Sequence, residues 1–169
     1  NINRFRMIKI GIIGFGYWGP NLVRNFNIQT DCRVEYVVDS REERLAIVNK
    51  SYPNIQTATF LDEVIENTEI DAIVVATPVY THFDIAKKAL MNGKHVLLEK
   101  PMTSSVSEAE ELINIAIKCK KVLMVDHTFL YTGAVQKISS IIKNDLIGKL
   151  KYIDSTRINL GLFQPDVNV

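Results

Sequence analysis

The chain of 169 residues carries 20 Lys and Arg against 19 Asp and Glu, a net charge of +1, and 47% of its residues are hydrophobic. That balance excludes a disordered tail, a collagen and a disulfide-held miniature, and fits a globular fold able to bury about 70% of its unfolded surface. No long run of one charge points to nucleic acid or anionic lipid, and the longest apolar stretch, Ile70 to Pro78, is far short of the roughly 20 residues a bilayer requires.

Asn1 to Arg6 precede Met7 and carry no fold argument. Ile8 to Ile13 reads as the first strand and runs directly into Gly14-Phe15-Gly16-Tyr17-Trp18-Gly19, a G-x-G-x-x-G placed where strand passes into helix. Gly14 permits the tight turn, Gly16 lets backbone approach a pyrophosphate, and Gly19 lets the helix pack close to the strand. The helix start then offers free amides and a partial positive charge to phosphates, with Tyr17 and Trp18 lending backbone amides and Phe15 also expected beside the cofactor. The bland alternative is that these glycines merely form a turn.

Val34 to Val38 is the second strand, closed by Asp39, where dinucleotide-binding folds place the acid that bonds the adenosine ribose. A 2′-phosphate would meet a like charge there, which favours NAD over NADP. Ser40 and Arg41 keep the second option open, since an arginine at this point either flanks adenine or pairs with a 2′-phosphate. Ile55 to Ala58 and Ala72 to Ala76 follow as strands, the latter delivering Thr77 and Pro78.

Thr81 and Asp84 have capping-box spacing ahead of a helix from Phe83 to Met91, which Asn92-Gly93 stops. His95 to Leu98 is the fifth strand, delivering Glu99-Lys100-Pro101. His95 itself lies at the amino end, away from any ligand edge, and reads as structural. Ser105 and Glu108 cap the next helix, with an expected core stripe of Ala109, Leu112, Ile113, Ala116 and Ile117, and its lysines Lys118, Lys120 and Lys121 read as a solvated last turn. Val122 to Val125 is the sixth strand, leading to Asp126-His127.

Six strands alternating with helices predict an α/β, doubly wound parallel sheet over residues 7–130. After Val125 the rhythm changes: a helix from Ala134 to Asn144 stops near Gly148, and Leu150 to Leu160 alternates like a strand with no hairpin partner. Residues 131–169 therefore read as the start of a second α/β domain that this chain does not complete. Cys32 and Cys119, far apart and without C-x-x-C spacing, read as reduced buried thiols. With no signal-peptide pattern, the expectation is a cytoplasmic protein without nucleic-acid or membrane partners.

Ligands bind beyond the carboxyl ends of such strands, so the residues after each strand are the site candidates. Here the resemblance becomes specific. The glycine loop with Pro20-Asn21, Ala76-Thr77-Pro78 with Thr81-His82, and above all Gly93-Lys94-His95-Val96-Leu97-Leu98-Glu99-Lys100-Pro101 resemble the Gfo/Idh/MocA oxidoreductases. His127 to Tyr131 and Arg157 to Val169 look most like UDP-N-acetylglucosamine and UDP-N-acetylglucosaminuronate 3-dehydrogenases within that family.

The resemblance implies a Rossmann domain that binds NAD, followed by a domain carrying sugar and homo-oligomer contacts, with a histidine beyond Val169. It implies cofactor binding without turnover for this chain by itself. Lys100 is the expected catalytic residue, bonding or deprotonating a substrate hydroxyl as hydride leaves the same carbon for the nicotinamide; its charged form is disfavoured by desolvation and the like charge of the ring. The alternative is an exposed loop cation paired with Glu99. The family often holds the bond to Pro101 cis.

Glu99, Thr77 and Pro78 are expected beside the cofactor, and His82 either faces the nicotinamide or is a solvent-exposed or capping group of the first turn. His127, Arg157 and Asn159 are the expected substrate contacts, although Asp126 stands where the family has a small residue, and the latter pair equally suits the polar face of an edge strand. No metal-ligand spacing occurs and hydride transfer needs none. The competing reading is a non-catalytic NAD-sensing module; a third is a family enzyme acting on an inositol or simple sugar.

Overall fold

In the computed structural model, which describes residues 6–156 and 158, the elements follow as β1 (Ile8–Ile13), α1 (Gly19–Asn27), β2 (Cys32–Val38), α2 (Glu42–Ser51), β3 (Gln56–Ala58), α3 (Asp62–Ile65), β4 (Ala72–Val75), α4 (His82–Met91), β5 (His95–Leu98), α5 (Val106–Cys119), β6 (Leu123–Val125) and α6 (Gly133–Lys143). The six strands pair in parallel in the order β3-β2-β1-β4-β5-β6. The expected doubly wound sheet is therefore present, and every expected strand of the first domain forms within two residues of its anticipated ends.

Alternation along the strands sends side chains to two separate cores. Ile10, Ile12, Val34, Val37 and Val74 pack under α1 and α2, through Leu22, Val23, Leu45 and Val48. Ile13, Val38, Ile73, Val75, Val96 and Leu98 pack under α3, α4 and α5, through Val64, Ile65, Ala86, Leu90, Leu112 and Ala116. Each fully buried Val, Ile or Leu contributes about 1.5–3 kcal/mol, so these two layers drive the fold.

The helix ends are settled by local chemistry. Ser105 Oγ accepts the Glu108 amide at 3.3 Å and Glu108 Oε2 accepts the Ser105 amide at 3.2 Å, the reciprocal capping expected from the sequence. The expected box at Thr81 does not form. A 3-10 turn, Val79–Thr81, precedes α4, so the Thr81 hydroxyl is drawn back to the Pro78 carbonyl at 2.8 Å and to the Thr77 hydroxyl at 2.7 Å. Gly93 has φ +74°, the left-handed stop anticipated after Asn92.

The expected stripe on α5 is corrected in part. Leu112 and Ala116 are buried, whereas Ile113 and Ile117 are 47% and 70% exposed, because α5 lies over the last strands at the sheet border, where only one narrow face meets the core. His95 Nδ1 accepts the Val122 amide at 3.0 Å and ties β5 to β6, a structural role as expected. Both cysteines are free thiols.

The chain divides into two units, Asn1–Asp126 and His127–Val169. In the second, the turn Thr128–Tyr131 and α6 form one residue away from the expected helix limits. Residues 150–156 form no strand: extended backbone becomes a strand only by pairing, and none of the described residues supplies a partner. Among the described residues, no helix is long and apolar enough to cross a membrane, and no cluster of His, Cys, Asp or Glu could hold a metal ion.

Candidate functional site

The strand order reverses between β1 and β4, and the carboxyl ends of these two strands open the crevice where ligands of such sheets bind. The glycine loop leaves β1 at this point. Gly14 has φ +99°, and a Cβ added there would lie 2.6 Å from the Ala76 carbonyl oxygen, so glycine alone lets the loop pass the end of β4. At Gly19 a Cβ would stand 2.5 Å from the Gly14 carbonyl oxygen, which is the close helix approach inferred from the spacing.

Gly16 differs. Its nearest neighbour for an added Cβ is an Arg41 guanidinium nitrogen at 3.8 Å, so the fold itself does not demand glycine there. Space in front of a loop whose helix carries no side-chain cap suits a phosphate group. The loop's residues thus fit a dinucleotide. Tyr17 and Trp18 are 67% and 38% exposed, with their rings stacked at 6.2 Å beside the loop rather than packed into the core. Phe15 is corrected as a direct contact: its ring is buried and its amide donates to Asp39 Oδ2 at 2.8 Å.

Asp39 is buried and fully bonded. Oδ1 accepts the Arg41 amide and Nε, each at 3.0 Å, and Oδ2 accepts an Arg41 terminal nitrogen at 3.2 Å besides Phe15. Burial acts to raise Asp39, yet the bonds from Arg41 and from the Phe15 amide outweigh it and hold the carboxyl below its ordinary value. The consequence for the ribose expectation is concrete: a ribose reaches this carboxylate only as the guanidinium turns aside. Ser40 is exposed next to it.

Thr77 and Pro78 follow the end of β4 at the crevice. His82 is corrected as a ligand-facing group. Its ring is 1% exposed, with Nδ1 3.0 Å from the Pro101 carbonyl and Nε2 2.8 Å from the Thr77 carbonyl, so it binds the turn after β4 to the turn after β5. A position on the first turn of α4, over the sheet, dictates this burial. The Lys100–Pro101 bond between these turns is cis.

Lys100 is exposed at the carboxyl end of β5. Glu99 does not pair with its ammonium; Glu99 Oε2 accepts the Lys100 backbone amide at 3.2 Å instead. Glu99 is 9% exposed, and its Oε1 has no hydrogen-bond partner among the protein donors. Burial first, and then the carboxylate of Asp126, push Glu99 up to about 7.

Asp126 was among the strand-end candidates of the sequence but was given no role there beyond its departure from the family pattern beside His127. The signal was available: Glu99 and Asp126 each follow the last residue of neighbouring parallel strands. His127 is exposed and opens the turn Thr128–Tyr131 of the second unit, its carbonyl accepting the Leu130 amide. Arg157 and Asn159 lie outside the described residues.

Residues 8–127 match a family model described as "Oxidoreductase family, NAD-binding Rossmann fold". The chain is 29% identical over 160 residues to the uncharacterized oxidoreductase YdgJ of Escherichia coli, covering 95% of this chain and 45% of that protein. It is 27% identical over 165 residues to the scyllo-inositol 2-dehydrogenase (NADP(+)) IolW of Bacillus subtilis, covering 95% and 43%. Among solved structures, scyllo-inositol dehydrogenase from Lactobacillus casei with bound NAD(H) and scyllo-inositol superposes with a TM-score of 0.78 at 20% identity, over 85% of this chain and 43% of that one, and speaks for the fold. The chain thus spans less than half the length of these relatives.

Proposed function

From the premise that this chain belongs to the Gfo/Idh/MocA oxidoreductase family and carries its NAD-binding Rossmann domain, we propose that the whole protein oxidises a secondary hydroxyl of a nucleotide-linked sugar, at C3 of a UDP-N-acetylhexosamine or its uronic acid. The observation that supports this most is that the open glycine loop and the Lys100-bearing end of β5 belong to the same carboxyl edge of one sheet, on either side of β4. A dinucleotide laid along that edge reaches both.

The nicotinamide ring supplies the hydride acceptor. Lys100 bonds the substrate hydroxyl and removes its proton while the hydrogen on the same carbon departs with its electron pair, leaving a ketone. Asp39 and Arg41 hold the adenosine end, the amides of Gly16, Tyr17 and Trp18 hold the phosphates, and Thr77 and Pro78 line the middle. The second unit begins the region that contacts sugar and other subunits, through His127, Arg157 and Asn159. The setting is the cytoplasm. The sugar assignment rests on the likeness of His127 to Tyr131 and Arg157 to Val169. The scyllo-inositol dehydrogenases among the relatives favour a second reading, a free cyclic polyol as substrate.

The complete protein is mixed with NAD and, separately, UDP-N-acetylglucosamine, its uronic acid or scyllo-inositol, and NADH absorbance is followed. Lys100→Ala is expected to lower kcat by about a hundredfold or more while cofactor Kd stays within about threefold. Undiminished turnover removes Lys100 from the mechanism, and silence with every alcohol alongside tight NAD binding favours a sensing module.

A further inference from the structure

We propose that Glu99 and Asp126 share one proton as an acid–carboxylate pair at the nicotinamide end of the crevice, and that this pair sets the site's preference for oxidised over reduced cofactor. The register compels the pairing. Leu98 lies opposite Val125 in the β5–β6 ladder, and the Asp126 amide donates to the Leu98 carbonyl at 2.9 Å. The next residue on each strand is then a neighbour at the strand spacing of about 4.8 Å, and the Asp126 carboxylate acts on Glu99 across that gap.

Glu99 Oε1 is buried without a donor. An unbonded carboxylate oxygen beside a second carboxylate is doubly unfavourable; a proton on Glu99, donated to Asp126, removes both problems. Lys100 is the cation of the same strand that acts on Glu99, and it acts more weakly than Asp126. Strand β4 ends in the uncharged Val75, Ala76 and Thr77. From α4, the His82 ring is held by the Thr77 and Pro101 carbonyls.

The effect on the cofactor rests on the proposed nicotinamide position. The oxidised ring is a cation and the reduced ring is neutral, so losing the shared proton strengthens binding of NAD⁺ and leaves NADH nearly unaffected. NAD⁺ binding should release protons, and affinity for NAD⁺ relative to NADH should rise with pH through the range in which Glu99 titrates.

Calorimetric titrations of the protein with each nucleotide, in buffers of different ionisation enthalpy, test this. From about pH 6 to about pH 8 the NAD⁺ preference is expected to rise roughly fivefold, within the tenfold-per-unit ceiling of single-proton linkage. Asp126→Asn and Glu99→Gln should each flatten that rise; an unchanged rise in Asp126→Asn overturns the proposal. Failure of both nucleotides to bind ends the dinucleotide reading and the cofactor half with it.

The proton on Glu99 is then tested without nucleotide. Burial and the Asp126 carboxylate push Glu99 up to about 7 from an ordinary 4.5, so the folded state holds the extra proton between those values and stability falls as pH rises across that window. Relative to Glu99→Gln, whose amide still donates to Asp126, the wild type should lose roughly 5 °C of Tm between about pH 5 and about pH 8. Parallel Tm profiles show that no proton is shared.

Discussion

Alanine at two positions of one loop separates what the fold requires from what a ligand requires. At Gly14 the backbone has φ +99° and an added Cβ would meet Ala76 O, Ala76 C and Thr77 N at 2.6, 2.7 and 3.0 Å, all of them backbone atoms. Positive φ alone costs an L-residue about 1–2 kcal/mol, and displacing the end of β4 adds to it. A total of about 3 kcal/mol is a large part of a typical 5–15 kcal/mol and corresponds to a Tm loss of roughly 6–12 °C.

At Gly16 neither term applies, since φ is not positive and the nearest atom is 3.8 Å away at a flexible side-chain end. Gly16→Ala should therefore change stability by less than about 1 kcal/mol, and reduced freedom of the unfolded chain can even raise it. Its methyl group does occupy the approach to the pyrophosphate. Losing one hydrogen bond to a charged group costs about 1.5–3 kcal/mol, or a Kd roughly tenfold to a hundredfold weaker. Urea unfolding measures the first quantity, and NADH titration followed by fluorescence of Trp18, the sole tryptophan, measures the second. Gly16→Ala binding NADH with wild-type affinity would refute the phosphate reading of the loop, and a fully stable Gly14→Ala would refute the backbone argument.

Asp39→Ala removes the acceptor of the Phe15 amide and the anchor of Arg41. It should weaken NAD more than NADP, because it also removes the negative charge that would repel a 2′-phosphate; equal losses in paired titrations would remove Asp39 from ribose recognition. Ser105→Ala deletes the reciprocal cap of α5 and should cost about 1 kcal/mol, read as a Tm lower by roughly 2–4 °C with nucleotide affinity unchanged.

Much of the architecture was legible because it depends on short-range rules. Apolar runs of four to six residues separated by helical segments define a parallel sheet, and a G-x-G-x-x-G at the first strand-to-helix junction marks its ligand edge. The reading failed where a residue's environment is made by elements distant in sequence. His82 has the same first-turn position whether it faces a ligand or a carbonyl; the approach of the β4 and β5 turns decided for the carbonyls. Ile113 and Ile117 have helical periodicity suited to a core, yet the sheet ends at β6 and offers them nothing to cover.

By itself the sequence determined the strands, the glycine loop and the lysine that follows β5, because propensity, glycine geometry and side-chain alternation act over a few residues. Only tertiary structure decided that Arg41 closes on Asp39 and that Glu99 stands beside Asp126. Each of those depends on which strand end or loop folds back on which neighbour, and a buried charge takes its protonation from the groups that packing brings within a few ångströms.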